Sequence, residues 1–296
     1  MPLKPVPELL TAAQNGRYAL GYFESWNLES LQGVLDAAEK TRSPVIVGFN
    51  GEFLTLPERR APERLSLYAA LGRAAAETAE VPCGFIFNEC PVESAVRAAV
   101  LSGFNLVMLS NPGEALDVFT ERLASLVQFA HAQGVAVEAE LGELPNAASG
   151  CLDTSRSALT NPEQAARFVA ATQVDVLSVS AGNVHVLLGK PQDLDLDLIG
   201  EISRRVKIPL GLHGGTGISA DSLLRAIRLG IAKVNFGSYL KLSYLKALRE
   251  RLTSNERDPH RLLGMGGSED VMSACRLAVR DAVLERIESL GCCGRA

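Results

Sequence analysis

Short apolar runs recur along this chain, and most are followed by a longer stretch in which apolar residues return every three or four positions. The short runs are YALGYF (18–23), SPVIVGF (43–49), PCGFIF (82–87), LVML (106–109), GVAVEAEL (134–141), VDVLSVS (174–180), IPLGLH (208–213) and KVNFG (233–237). Their length and their content of β-branched and apolar residues predict strands. The stretches between them, such as NLESLQGVLDAAEKT, PVESAVRAAVLSG, PGEALDVFTERLASLVQFAHAQG and SADSLLRAIRLG, have helical spacing, and glycine recurs at their carboxyl ends. Strands alternating with helices in one unit predict a single (β/α)8 TIM barrel over residues 1–296, with a helical extension from about 240 to 296. An open doubly wound sheet is the competing arrangement, but no GxGxxG follows the first strand, so a dinucleotide fold has little support.

Two segments exceed ordinary connector length. The first, 142–164, follows the fifth strand, and loops of that size are usually either functional or mobile. The second, LKLSYLKALRERLTSNERDPHRLLG with the following SEDVMSACRLAVRDAVLERIESLG, reads as helices that pack on the barrel or on a partner subunit.

Composition narrows the function. Hydrophobic residues are 47% and charged residues 21%, the balance of an ordinary globular protein. A net charge of −5 without any basic block excludes a phosphate-backbone binder and leaves small solutes as partners. No apolar run approaches the ~20 residues of a membrane span, and the amino terminus lacks a signal-peptide pattern, so a cytoplasmic location is expected. Cys83, Cys90, Cys151, Cys275, Cys292 and Cys293 form no CxxC pair and are expected to be free thiols, with Cys292 and Cys293 in a surface tail.

Side chains at the carboxyl ends of barrel strands converge on one mouth, where catalysis sits. The strand ends here offer Glu24 and Asn27, Asn50, Asn88 and Glu89, Glu138 and Glu140, Asn183 and His185, His213, and finally Asn235 and Ser238. Polar groups gathered in one mouth are expensive to desolvate unless a ligand or metal uses them. The run LHGGTGIS places Gly214, Gly215, Thr216 and Gly217 ahead of a predicted helix, and VNFGS follows the last strand. Glycine-rich loops after strands seven and eight form a phosphate cradle in many barrels, although one such loop alone would be only a turn. His185 and His213 with Glu89 would supply three ligands to a divalent metal and leave a fourth position open. An isolated histidine is usually a satisfied polar residue, so spacing alone leaves both readings open. The donor set is compatible with zinc and suits manganese or iron as well. Glu89 has its own plainer reading as an amino-terminal neighbour of the helix PVESAVRAAV, with Asn88 capping the same turn. His131 and His260 are assigned to structure or surface.

These residues resemble the class II, metal-dependent fructose-bisphosphate and tagatose-bisphosphate aldolases. The likeness runs in order through MPLKPVPELLTAAQNGRYALGYF, NLESLQGVLDAAEKTRSPVIV, GVAVEAELG, LTNPEQAARFV, VDVLSVSAGNVH, GKP, IPLGLHGGTGIS, LGIAKVNFGS and the final GRA. It implies that His185 and His213 are metal ligands and that Gly214, Gly215, Thr216, Gly237 and Ser238 bind phosphate with Lys190 nearby. It further implies that Asn235 contacts the hydroxyl or keto end of the substrate, and that the protein is a homodimer or homotetramer. Asn27 and Asn50 join the substrate-binding candidates.

The chain departs from the family at several strand ends. Asn88 and Glu89 stand where the family has a proton-shuttling Asp and a metal-binding His; Glu24, Asn50 and Ser110 replace an Asn, a Ser and an Asp. An Asn amide does not titrate near neutral pH and cannot act as a general base. The expected function is therefore an altered metal-dependent carbon–carbon lyase on a phosphorylated ketose or sugar acid, working through an enediolate. Glu24, Asn88, Glu89 and Glu140 are its candidate catalytic group, with Glu24 or Glu140 as the replacement proton carrier. A phosphosugar isomerase or epimerase and a non-catalytic sugar-phosphate binder are the alternatives.

Overall fold

The structure is a computed structural model and describes residues 2–111, 113–142, 144, 159–184 and 191–296. Eight parallel strands pair in chain order and close on themselves: β1 (Leu20–Ser25), β2 (Val45–Asn50), β3 (Cys83–Cys90), β4 (Leu106–Leu109), β5 (Ala136–Leu141), β6 (Val176–Val179), β7 (Leu210–Leu212) and β8 (Ile231–Phe236). Each expected strand is present. The third runs to Cys90 rather than ending at Phe87, and the sixth and seventh are shorter than the apolar runs suggested. Every strand residue is buried except Glu89 and Glu140, because helices cover the barrel outside while side chains fill it inside.

Helices α1 (Val6–Gly16), α2 (Leu28–Thr41), α3 (Gly51–Thr55), α4 (Leu65–Thr78), α5 (Glu93–Leu101), α6 (Leu116–His131), α7 (Pro162–Thr172), α8 (Leu196–Arg205), α9 (Ala220–Arg228), α10 (Ser238–Arg251), α11 (Pro259–Leu262) and α12 (Val271–Leu290) surround the sheet. Helix α1 lies near the amino-terminal end of β3: Leu3 bridges Cys83, and Val6, Leu10 and Ala13 are completely buried. Alternation sets the two faces of each strand. Phe23 on β1 and Phe236 on β8 stack at 5.3 Å, while Glu138 on β5 meets Lys233 on β8 across the barrel interior.

The carboxyl-terminal helices pack on the barrel. Helix α12 seats Val279, Val283, Ile287 and Leu290 in the core, each worth about 1.5–3 kcal/mol when fully buried. Arg276 holds Asp36 of α2 through two bonds of 2.6 Å, and a Cβ on Gly33 of α2 would stand 2.6 Å from the Arg276 carbonyl oxygen. Only glycine permits that approach. The tail is tied down by backbone bonds from Gly294 and Ala296 to the carbonyls of Thr41 and Arg42. Cys292 is therefore buried, against the expectation of a surface tail, while Cys293 is exposed. The cysteines of the described residues are free thiols; Cys151 lies outside those residues. No described helix is long and apolar enough to cross a membrane.

Candidate functional site

The carboxyl ends of β1, β2, β3, β7 and β8 enclose a cavity of about 100 Å³ lined by Tyr22, Glu24, Asn50, Asn88, Glu89, His213, Gly214, Thr216, Asn235, Gly237, Ser238 and Lys241. A second cavity of about 290 Å³ adjoins it, sharing Glu24, Asn50, Phe53 and Lys241 and adding Trp26, Arg59 and Tyr68. A larger groove of about 810 Å³ lies at the opposite end of the barrel beside His131, Val174, Asp175 and Pro209. Barrel chemistry belongs to the carboxyl-terminal face, so the first two define the site.

Glu89 reaches the mouth through a backbone irregularity. Along β3 and β4 the register shifts between Phe87 and Cys90, and Glu89 takes a left-handed φ of 49°. A bulge of this kind re-aims one side chain, and the left-handed conformation costs a residue with a Cβ about 1–2 kcal/mol. The plainer reading of Glu89 as a helix cap does not hold: α5 begins at Glu93 with Val92 as its cap, and Glu89 Oε1 sits 2.7 Å from His213 Nδ1. Asn50, which caps α3, donates its amide to Glu89 Oε2 at 2.8 Å and fixes the carboxylate from the other side.

His213 is completely buried and ringed by carboxylates. Its Nε2 lies 3.1 Å from Glu138 Oε1, and its Nδ1 lies 2.7 Å from Glu89 and 3.4 Å from Glu140. Burial alone would lower the imidazole pKa, but Glu140 and Glu89, then Glu138, override it and raise it to about 10. Both ring nitrogens of His213 thus face carboxylate oxygens. Glu140 is pushed up to about 7, chiefly by burial, with His213 opposing the rise and Glu89 and Glu138 adding to it. Glu138 goes the other way: burial would raise it, yet Lys233 and then His213 hold it down at about 2.

The group beneath His213 is a buried polar network. The Lys233 ammonium, fully buried, lies 2.8 Å from Glu138 Oε2 and donates to Asn235 Oδ1 at 2.5 Å. Ser178 on β6 donates to Glu138 Oε1 at 2.7 Å, a contact that fits because Gly211 of β7 lacks the Cβ that would run into the Ser178 hydroxyl. Sequence reasoning named Glu138 but missed Lys233 and Ser178. A lysine inside an otherwise apolar strand run was the available signal.

At the rim, Glu24 pairs with Lys241, whose ammonium also lies 4.1 Å from the Phe53 ring centroid. Burial first, and then Glu89 and Glu52 against the counteracting Lys241, raise the Glu24 pKa. Glu24 Oε2 leans on Gly237, where any Cβ would collide with it. The loop after β7 is tightly turned: Gly214 is left-handed at φ 67°, Gly215–Gly217 forms a 3-10 turn, and a Cβ on Gly215 would stand 2.6 Å from Val234. Asn27 is not among the lining residues. Its oxygen caps α2 and its amide donates to Tyr244 at 2.9 Å, so its side chain serves the fold. Asn183 is likewise spent, donating to the carbonyl of His213 at 3.0 Å. His131, on α6, pairs with Asp175, and His260 is exposed in α11. His185 and Lys190 lie outside the described residues. Among the described residues no three His, Cys, Asp or Glu side chains stand as a formed metal centre.

A closed parallel barrel with a buried histidine, three carboxylates and two glycine-containing loops gathered at its carboxyl-terminal face is the arrangement in which barrel enzymes place their sites. The chain belongs to the class II fructose-bisphosphate aldolase family, whose model matches residues 4–295. Among solved structures it is similar to the YdjI aldolase from Escherichia coli K12, at 28% identity and a TM-score of 0.81 over 99% of both chains. A protein assigned as a fructose-1,6-bisphosphate aldolase from Coccidioides immitis matches at 24% identity and a TM-score of 0.84, covering 98% of this chain and 97% of that one. The fructose-bisphosphate aldolase of Campylobacter jejuni matches at 20% identity and a TM-score of 0.78, over 99% and 97%. The latter two support the fold.

Proposed function

We propose that this protein is a metal-dependent carbon–carbon lyase acting on a phosphorylated ketose or a related sugar acid. One observation carries the reading: His213 presents Nδ1 to Glu89 and Glu140 while Glu138 takes its Nε2. A carboxylate on the far nitrogen is the usual support of a metal-binding imidazole, fixing its tautomer and its direction. The donor set suits a divalent ion in kind, one imidazole nitrogen with carboxylate oxygens, and His185 would complete it; zinc, manganese and iron all accept such ligands. Glu89 Oε1 and His213 Nδ1 lie 2.7 Å apart, and the two residues would hold the ion together. When bound, the ion would polarise the substrate carbonyl as a Lewis acid.

The remaining roles fall to the chain's own groups. Gly214, Gly215, Thr216, Gly237 and Ser238 bind the phosphate, and the family resemblance adds Lys190 to them. Asn50 holds Glu89 in place, and Asn235 faces the keto end of the substrate. Asn88 carries no titrating group, so proton transfer falls to Glu24, which lines the mouth, or to Glu140. Support for cleavage over other chemistry comes from the family and from the similarity to an aldolase at 28% identity.

Metal analysis of the purified protein should find a stoichiometric divalent metal that disappears in His213→Ala. Incubating ketose phosphates in deuterated water should release a smaller carbonyl fragment. Deuterium entering an intact sugar would instead mark an isomerase or epimerase, and a metal-free protein that still binds phosphosugars would mark a non-catalytic binder.

A further inference from the structure

Among the buried polar atoms without a hydrogen-bond partner in the described residues are three on residues lining the small cavity: Tyr22 Oη, Asn88 Oδ1 and Asn235 Nδ2. Tyr22 and Asn88 are each 1% exposed and Asn235 is 8% exposed, and all three line the same small cavity. Buried polar groups are ordinarily paired, so three orphans facing one cavity mark a surface shaped for the polar atoms of a ligand.

Their chemistry is complementary. Lys233 donates to Asn235 Oδ1, which fixes the amide and leaves its Nδ2 hydrogens for the cavity. Tyr22 on β1 stands in register with Asn235 on β8, and the Lys233 ammonium lies 5.3 Å from the Tyr22 ring centroid, holding the ring by its face. Burial, and then the carboxylates of Glu24, Glu89 and Glu138, keep the phenol pKa well above its usual range, so Tyr22 remains an O–H donor at neutral pH. Asn88 supplies the opposite element, a carbonyl acceptor. Two donors beside one acceptor match an oxygen without hydrogen next to a hydroxyl.

We propose that Tyr22 is a catalytic residue: its hydroxyl and Asn235 Nδ2 donate to the carbonyl oxygen of an α-hydroxy ketone, whose hydroxyl donates to Asn88 Oδ1. The assignment rests on the lyase reading and narrows its substrate class. When the bond between the α- and β-carbons breaks, the β-hydroxyl passes its proton to Glu24 or Glu140 and becomes the carbonyl of the departing fragment, while the electron pair of the broken bond leaves negative charge on the ketone oxygen. The two donors then bind more strongly than in the ground state, and Tyr22 keeps its proton throughout. Asn88, useless as a base, serves here as the acceptor that reads the hydroxyl.

Tyr22→Phe removes one oxygen atom and nothing else. The probe is dihydroxyacetone phosphate, a small phosphorylated α-hydroxy ketone, whose carbon-bound hydrogen exchanges for deuterium when the full-length, metal-loaded protein forms the enolate. The expected outcome is a kcat for exchange lowered about 100-fold with little change in KM. Because the deleted hydroxyl had no partner, the melting temperature should be unchanged or higher, and metal content unchanged. Exchange at the wild-type rate in Tyr22→Phe would overturn the role of Tyr22 while leaving the lyase reading standing. A slower variant that also melts earlier and loses metal would overturn it too, in favour of a structural role. Wild-type protein that neither exchanges nor binds this ketone would overturn the lyase reading, and the Tyr22 assignment with it.

Discussion

Replacing Lys233 by methionine removes a charge from the centre of the barrel while keeping most of the stem. The wild-type ammonium lies 2.8 Å and 3.0 Å from the two Glu138 oxygens, and both side chains are fully buried. Deleting one partner of a buried ion pair costs about 3–5 kcal/mol, because the other charge stays buried and under-compensated. Here Ser178 and His213 still face Glu138, so the lower end applies, about 3 kcal/mol. Over 296 residues that corresponds to a fall in melting temperature of about 5 °C.

The acid side of the stability curve should move as well. Glu138 is held at about 2 against an ordinary 4.5, so its ionised form stabilises the fold above the unfolded value. That contribution, about 3 kcal/mol, is lost as the pH falls from about 4.5 through about 2. Lys233 is the strongest of the groups that lower this carboxyl against its burial, so in Lys233→Met the loss still begins near the unfolded value but is smaller and complete at a higher pH. Urea unfolding at about pH 7 and about pH 3 measures both effects. Lys233→Met/Glu138→Gln should recover at least half of the loss, since a neutral amide needs no counter-charge. A single variant as stable as wild type with an unmoved acid limb, or a double variant less stable than the single, would refute the reasoning.

Other substitutions test other parts of the structure. Glu24→Gln removes the negative charge that leans on Gly237 and frees Lys241, so inorganic phosphate should bind about tenfold tighter in equilibrium dialysis; unchanged or weaker binding would mean that the cradle lies elsewhere. Gly33→Ala forces a methyl against the Arg276 carbonyl at 2.6 Å and should cost about 1–3 kcal/mol, read as a lower melting temperature with metal content untouched.

Much of the fold can be read in the pattern of apolar runs, because strand and helix periods are local properties of the chain. The same holds for His213, Glu89 and the glycine loops, which stand at strand ends and carry unusual residue types. Asn27 shows the limit: at a strand end it resembles a mouth residue, yet one position further on a helix begins and its oxygen is taken by the Ser30 N–H. Helices α1 and α4 were not separately named as helices, and Cys292 was placed on the surface. Its burial depends on the tail finding α2, which no local pattern records.

By itself, then, the sequence determined the number and order of the strands, the family, and the residues offered at their ends. Which residues share a neighbourhood was decided by closure. Tyr22 and Asn235 are more than two hundred positions apart and become partners only because the last strand pairs with the first. Glu138 and Lys233 meet across the interior of the same closed sheet. In the sequence Tyr22 is one more aromatic in a strand. Inside the barrel it is a buried hydroxyl without a partner, and that cost is the physical mark of a group kept for something other than the fold.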